Sequence, residues 1–145
     1  MSEFDSGSNS VFSVQLHIVW VTKHRKKLLM GETSLKLRET IREICDSEAV
    51  QIIDGHIAKD YVHILVSVPP KISMNKFILL LKGKTTYNLL TAFDELRQEY
   101  RGRHLWAKGC FCCSSGQVTD ETIQRFVEDQ GEEEPPAPSP QSSPW

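Results

Sequence analysis

No stretch of this chain approaches the roughly 18 consecutive apolar residues that read as a membrane span, and the polar, Ser- and Gly-containing segment 1–10 lacks the apolar run of a secretion signal. A bilayer partner is therefore not expected, and the cytoplasm is the default compartment. Cysteine is sparse: the four, Cys45, Cys110, Cys112 and Cys113, hold no Cys-x-x-Cys matched by a second such pair, which excludes the common zinc-ribbon and zinc-finger patterns. Neighbouring cysteines along a strand pair awkwardly, so reduced, partly buried thiols are expected. There are no internal repeats, which excludes a solenoid.

A second scarcity is hidden by the net charge of −2. All 17 Lys and Arg lie between Lys23 and Arg125, whereas only 12 of the 19 acids fall within residues 11–127, leaving that segment at +5. The other acids sit at the two ends. A basic body with an acidic tail is compatible with nucleic-acid binding and equally with an ordinary solvated surface. The last 15 residues, GEEEPPAPSPQSSPW, hold three glutamates and five prolines with no apolar periodicity. Such a segment cannot bury enough surface to offset its ordering entropy. The expected organisation is a disordered N-terminus (1–10), one domain (11–130) and a disordered acidic, Pro-rich tail (131–145).

Within the body, Ser13 to Val21 is β-branched and apolar and reads as a strand, followed by the basic loop Lys23 to Lys27. Apolar residues at helical spacing predict a helix from Gly31 to Ala49, capped by Thr33 or Ser34. Val50 to Ile57 and Tyr61 to Val68 read as strands joined by Ala58-Lys59-Asp60, a hairpin. Ser73 predicts a helix start. Gly83 is expected to interrupt that helix, with a second helical stretch from Thr85 to Tyr100. Trp106 to Ser115 reads as a strand, and Thr119 opens a last helix ending near Gly131. The order β-α-β-β-α-β-α predicts an α+β fold, a two-layer ferredoxin-like sandwich on a four-stranded antiparallel sheet with its second face open or covered by a partner.

The third strand is the most informative. Side chains two apart share a face, so Val62, Ile64, Val66 and Val68 point to the core, and Tyr61, His63, Leu65 and Ser67 point away from it. A second histidine at position 61 would complete a His-hydrophobic-His metal clamp; tyrosine stands there. His17 and His56 read as hydrogen-bonded sheet histidines, and His104 belongs to a basic loop with Arg101 and Arg103. Trp20 and Trp106 are core residues or base-stacking platforms.

Five blocks, in order, resemble the single-tyrosine HUH transposases of the insertion-sequence and REP-associated kinds, over residues 12–131. These are Leu16-His17-Ile18-Val19-Trp20-Val21-Thr22-Lys23-His24-Arg25, the strand Asp60 to Lys71, Leu81-Lys82-Gly83-Lys84-Thr85, Arg103 to Gly109, and Val118 to Gln130. The resemblance implies two strand histidines and a helix glutamine around a divalent metal, Mg or Mn. It also implies a tyrosine one turn before that glutamine that attacks a DNA phosphate, and a homodimer that binds single-stranded DNA hairpins.

Carried over residue by residue, His63 and Gln130 match ligands, Tyr61 stands in the first histidine's place, and Phe126 stands in the nucleophile's. A phenyl ring has no attacking oxygen, and neutral phenol is a poor ligand beside imidazole. The expectation is a hairpin-binding, transposase-like protein with weak or absent metal and no nicking. Its phosphate contacts would come from Lys23, Arg25, Lys26, Lys27, Lys82, Lys84, Arg101 and Arg103. Two alternatives stand beside it: an active transposase with a non-standard nucleophile, and a protein-interaction module without DNA binding.

Overall fold

A computed structural model of the chain describes residues 13–114 and 118–133, with side chains to Gln130. The expected disordered segment 1–10 and most of the tail lie outside the described residues. Four strands, β1 (Val14–Val21), β2 (Gln51–Ile57), β3 (Tyr61–Val68) and β4 (Phe111–Ser114), form one antiparallel sheet in the order β2-β3-β1-β4. The α-helices are α1 (Glu32–Ser47), α2 (Met74–Ala92), α3 (Asp94–Tyr100) and α4 (Asp120–Glu133).

On one face of the sheet, Ile18, Trp20, Val62, Ile64, Val66 and Val68 pack against Leu37, Ile41 and Ile44 of α1, Phe77, Leu81 and Leu89 of α2, and Leu96 of α3. Trp20 and Trp106 meet edge to face in this core with ring centroids 5.9 Å apart, and both are buried, so neither offers a stacking platform. Trp106 Nε1 donates to Thr85 Oγ1 at 3.0 Å, which satisfies its one polar atom.

Part of the second face is covered from within the chain. α4 returns across it within the same chain, and Ile123 and Val127 bury against Val19, Val21 and Ala107. The helix is amphipathic with a narrow apolar edge, so it covers the part of the face above β1, β4 and the Tyr61 end of β3. Two layers become three at that end.

Three local expectations are corrected. Gly31, with φ +59°, is the residue preceding α1, rather than Thr33 or Ser34. Ser73 does cap α2, its side chain accepting from Lys76 N at 3.3 Å. α2 then runs straight through Gly83 and breaks ten residues later, at Phe93 (φ −125°, ψ 114°). The cost of one helical glycine, about 1 kcal/mol, is outweighed by the buried Leu81 and Thr85 on either side. The break falls where Asp94 and Glu95 favour a new helix N-terminus and Arg97 donates to the carbonyls of Leu90 and Thr91, capping the last turn of α2.

The last strand is shorter than expected, because residues 107–109 are held otherwise. Lys82 Nζ donates to the carbonyl oxygens of Ala107 (2.9 Å), Lys108 (3.0 Å) and Gly109 (3.0 Å), so these groups face an ammonium rather than a neighbouring strand.

A β-carbon built on Gly83 meets no atom within 4 Å. Gly83→Ala should therefore raise the unfolding free energy in urea by about 0.5–1 kcal/mol. A loss of stability would show that the helix does bend there.

Candidate functional site

The half of the second sheet face that α4 leaves uncovered carries three histidines, one from each of three adjacent strands. His56 on β2 lies directly opposite His63 on β3. Val19 lies opposite His63 on the other side, and His17 opposite Leu65, so His17 is the diagonal neighbour of His63. Diagonal partners are within reach of aromatic side chains. His17 Nδ1 and His63 Nε2 are 2.8 Å apart, in hydrogen-bond contact, with ring centroids separated by 5.0 Å. Asp54, Gly55 and Leu65 complete a small cavity of about 50 Å³ around His17, His56 and His63. Partial burial lowers the pKa of His63 below the ordinary imidazole value, and the neighbouring His17 and His56 lower it further; Asp54 and Asp120 oppose the shift.

Tyr61 sits one step along β3, where its hydroxyl accepts from Gln124 Nε2 of α4 at 3.4 Å. Burial raises its pKa, as do Asp60 and Asp120, so the phenol is neutral at physiological pH. The final helix thus does reach the third strand, through Asp120 and Gln124. Phe126 turns instead toward the other edge of the sheet and packs on Phe111, ring centroids 5.6 Å apart. Gln130 is nearly buried at the entry to β4, its Oε1 accepting from Gly109 N at 3.2 Å.

His63 lies on β3 and Phe111 on β4, with β1 between them, a separation of about 10 Å by strand spacing. Among the described residues no three His, Cys, Asp or Glu side chains gather around one point as metal ligands. The donor set implied by the resemblance therefore does not fit: phenol replaces one imidazole, and Gln130 is spent on Gly109.

The basic candidates divide. Arg25 is paired with Asp60 (3.2 Å), and Lys26 with Glu99 while lying 5.8 Å from the Tyr100 ring centroid. Lys82 braces residues 107–109. Lys23, Lys27, Lys84, Arg101 and Arg103 have no ion pair among the described residues. Lys27, Lys84, Arg101 and Arg103 are also exposed. The fold brings two of the loops together: Lys23 N donates to Leu105 O (2.9 Å), and Lys26 reaches across to α3. Residues 23–27 and 101–105 therefore form one basic corner. Thr22 N donates to Asp60 O (2.9 Å), which sets that corner at the Tyr61 end of the sheet.

Composition and spacing missed the partners of His63 and Tyr61. His17 sits on a strand whose second half is buried on both faces, so alternation gives no hint of which way it points. Only the β1–β3 register pairs it with His63. Asp120 and Gln124 look like ordinary solvated helix positions until α4 is seated.

Because folding lowers the His63 pKa, the unfolded chain binds more protons below about pH 6.5. The stabilising contribution of neutral His63 is complete above that value and is lost as pH falls from there through the lower pKa of the folded state. In chelator-containing buffer, His63→Gln should flatten the acid side of a Tm-against-pH curve. An unchanged curve would contradict the buried, neutral placement.

Residues 10–130 match the model of the family described as transposase, IS200-like. The transposase for insertion sequence element IS200 of Salmonella typhimurium is 30% identical over 134 residues, 92% of this chain and 88% of that protein. The ISDra2 transposase TnpA of Deinococcus radiodurans is 26% identical over 132 residues, 91% of this chain and 94% of its own length. A crystal structure of a Deinococcus radiodurans protein described as a transposase superposes with a TM-score of 0.80 at 27% identity, covering 88% of this chain and 98% of that one. A REP-associated tyrosine transposase bound to a REP hairpin shares the fold, with a TM-score of 0.56 at 12% identity, over 88% of this chain and 69% of the other. On sequence and on architecture alike, the chain belongs to the IS200-like transposase family.

Proposed function

We propose that the chain binds single-stranded DNA hairpins within a transposition system, as a homodimer, and neither nicks nor rejoins them. The carrying observation is the basic corner made by residues 23–27 and 101–105, in which Lys23, Lys27, Arg101 and Arg103 have no acidic partner among the described residues. Cations gathered without carboxylates are stabilised by an incoming phosphate backbone, which supplies affinity largely independent of sequence. Arg25 and Lys26, held by Asp60 and Glu99, position the loop that presents the others. Lys84, exposed on α2, extends the charge. A protein of the same fold is solved with a REP hairpin, which supports the ligand class.

The loss of chemistry rests on the side chains present. Phe126 carries no nucleophile. Tyr61 is a neutral phenol fixed by Gln124, Tyr100 is buried, and Tyr87 is exposed on α2, away from the histidine face. With the hairpin held and nothing to attack it, the protein would occupy the ends that an active relative must cleave. This supports a role in competition or repression.

Fluorescence anisotropy with a hairpin-bearing single strand tests the reading. Affinity should fall steeply with salt, and Lys27→Ala and Arg103→Ala should each reduce the log–log salt slope by about 0.7–0.9. Lys36→Ala, on α1 beside Glu39, should leave it unchanged. Salt-insensitive binding, or equal effects of all three variants, would refute the assignment.

A further inference from the structure

We infer that His17 and His63 together form a two-imidazole site for a late first-row transition ion such as Zn²⁺, Ni²⁺ or Cu²⁺. This ligand pair differs from the one implied by the family resemblance, and it does not depend on DNA binding. The separation of the two nitrogens is already close to that in a chelate. The two nitrogens stand 2.8 Å apart. Imidazole–metal bonds of about 2.0–2.1 Å place two ligand nitrogens about 2.9 Å apart at a right angle and about 3.4 Å apart at a tetrahedral one. Admitting an ion requires the nitrogens to part by a few tenths of an ångström and each ring to carry its proton on its other nitrogen. Both rings come from adjacent, hydrogen-bonded strands, so their backbones are fixed before the ion arrives.

Both rings stand in hydrogen-bond contact at the wall of one small cavity, so their nitrogens already face a common space. Asp54 and His56 line the same cavity. The Asp54 carboxylate offsets the charge of a bound cation, and His56, exposed and opposite His63, lies against the Tyr61 ring at the cavity's edge. Water fills the remaining positions.

Nitrogen donors select the ion. Imidazole suits Zn²⁺, Ni²⁺ and Cu²⁺, whereas Mg²⁺ demands an oxygen octahedron and gives up water reluctantly. The face that lost one histidine at Tyr61 has a different imidazole at hand, on the neighbouring strand, and the exchange changes which metal it takes.

The test titrates the full chain with ZnCl₂ and separately with MgCl₂, read by calorimetry and by the ¹⁵N resonances of the imidazoles. Zn²⁺ should bind at one site, shifting His17 Nδ1 and His63 Nε2, while Mg²⁺ produces neither heat nor shifts. His17→Ala and His63→Ala should each weaken Zn²⁺ binding by at least about tenfold, with His104→Ala unchanged. Circular dichroism establishes that each variant is folded, and the wild-type spectra decide the matter if one is not. Unmoved His17 and His63 resonances at saturating Zn²⁺, full-strength binding by folded His17→Ala, or Mg²⁺ binding as tight as Zn²⁺ would each overturn the site and leave a plain imidazole hydrogen bond.

Discussion

The central strand β1 is the element on which the rest depends. Ile18, Val19, Trp20 and Val21 are all at most 1% exposed, two toward α1–α3 and two toward α4. A strand buried on both faces has its register fixed twice, because a slip of one residue would exchange the two sets of side chains. That register sets His17 diagonally across from His63, delivers Thr22 to Asp60 so that the basic loop emerges beside Tyr61, and provides the valines on which α4 rests. Burying a valine fully is worth about 1.5–3 kcal/mol, so α4 gains its seat from the same residues that align the site.

α4 divides the second face into two regions with different chemistry. Under the helix lie apolar contacts and two packed side chains, Phe126 on Phe111 and Gln130 on Gly109. Beyond its edge lies the histidine group, half-buried and facing outward. Tyr61 marks the boundary, bonded to α4 through Gln124. Tyr61, where the family resemblance implies a histidine, thus has a structural setting as well as a chemical one. A phenol reaches the helix, accepting from Gln124, while His63, with no histidine two residues earlier on its own strand, pairs with one on the next.

Much of this was legible in the sequence wherever one periodicity ruled alone. The alternation of Tyr61 to Val68 gave that strand its limits and its faces, and five motif blocks in order identified the family. Gly83 misled because a local propensity of about 1 kcal/mol is weaker than the packing of Leu81 and Thr85. The extent of β4 was obscured by a long-range contact, the Lys82 ammonium on three carbonyls, that no local pattern announces. The return of α4 over its own sheet, and with it the company kept by Phe126 and Gln130, depends on which elements meet in space. The same is true of His17, which looked like an ordinary sheet histidine because its significance lies on another strand.

The account's central claim is that this family scaffold retains a surface for DNA and lacks a group able to attack it. The most direct measurement incubates the full chain with a hairpin-bearing single strand and Mg²⁺, Mn²⁺ or Zn²⁺, then resolves the products by denaturing electrophoresis and mass spectrometry. The account predicts intact DNA and unmodified protein under every condition. A cleaved strand joined to the protein through a tyrosine, at Tyr61, Tyr87 or Tyr100, would contradict it.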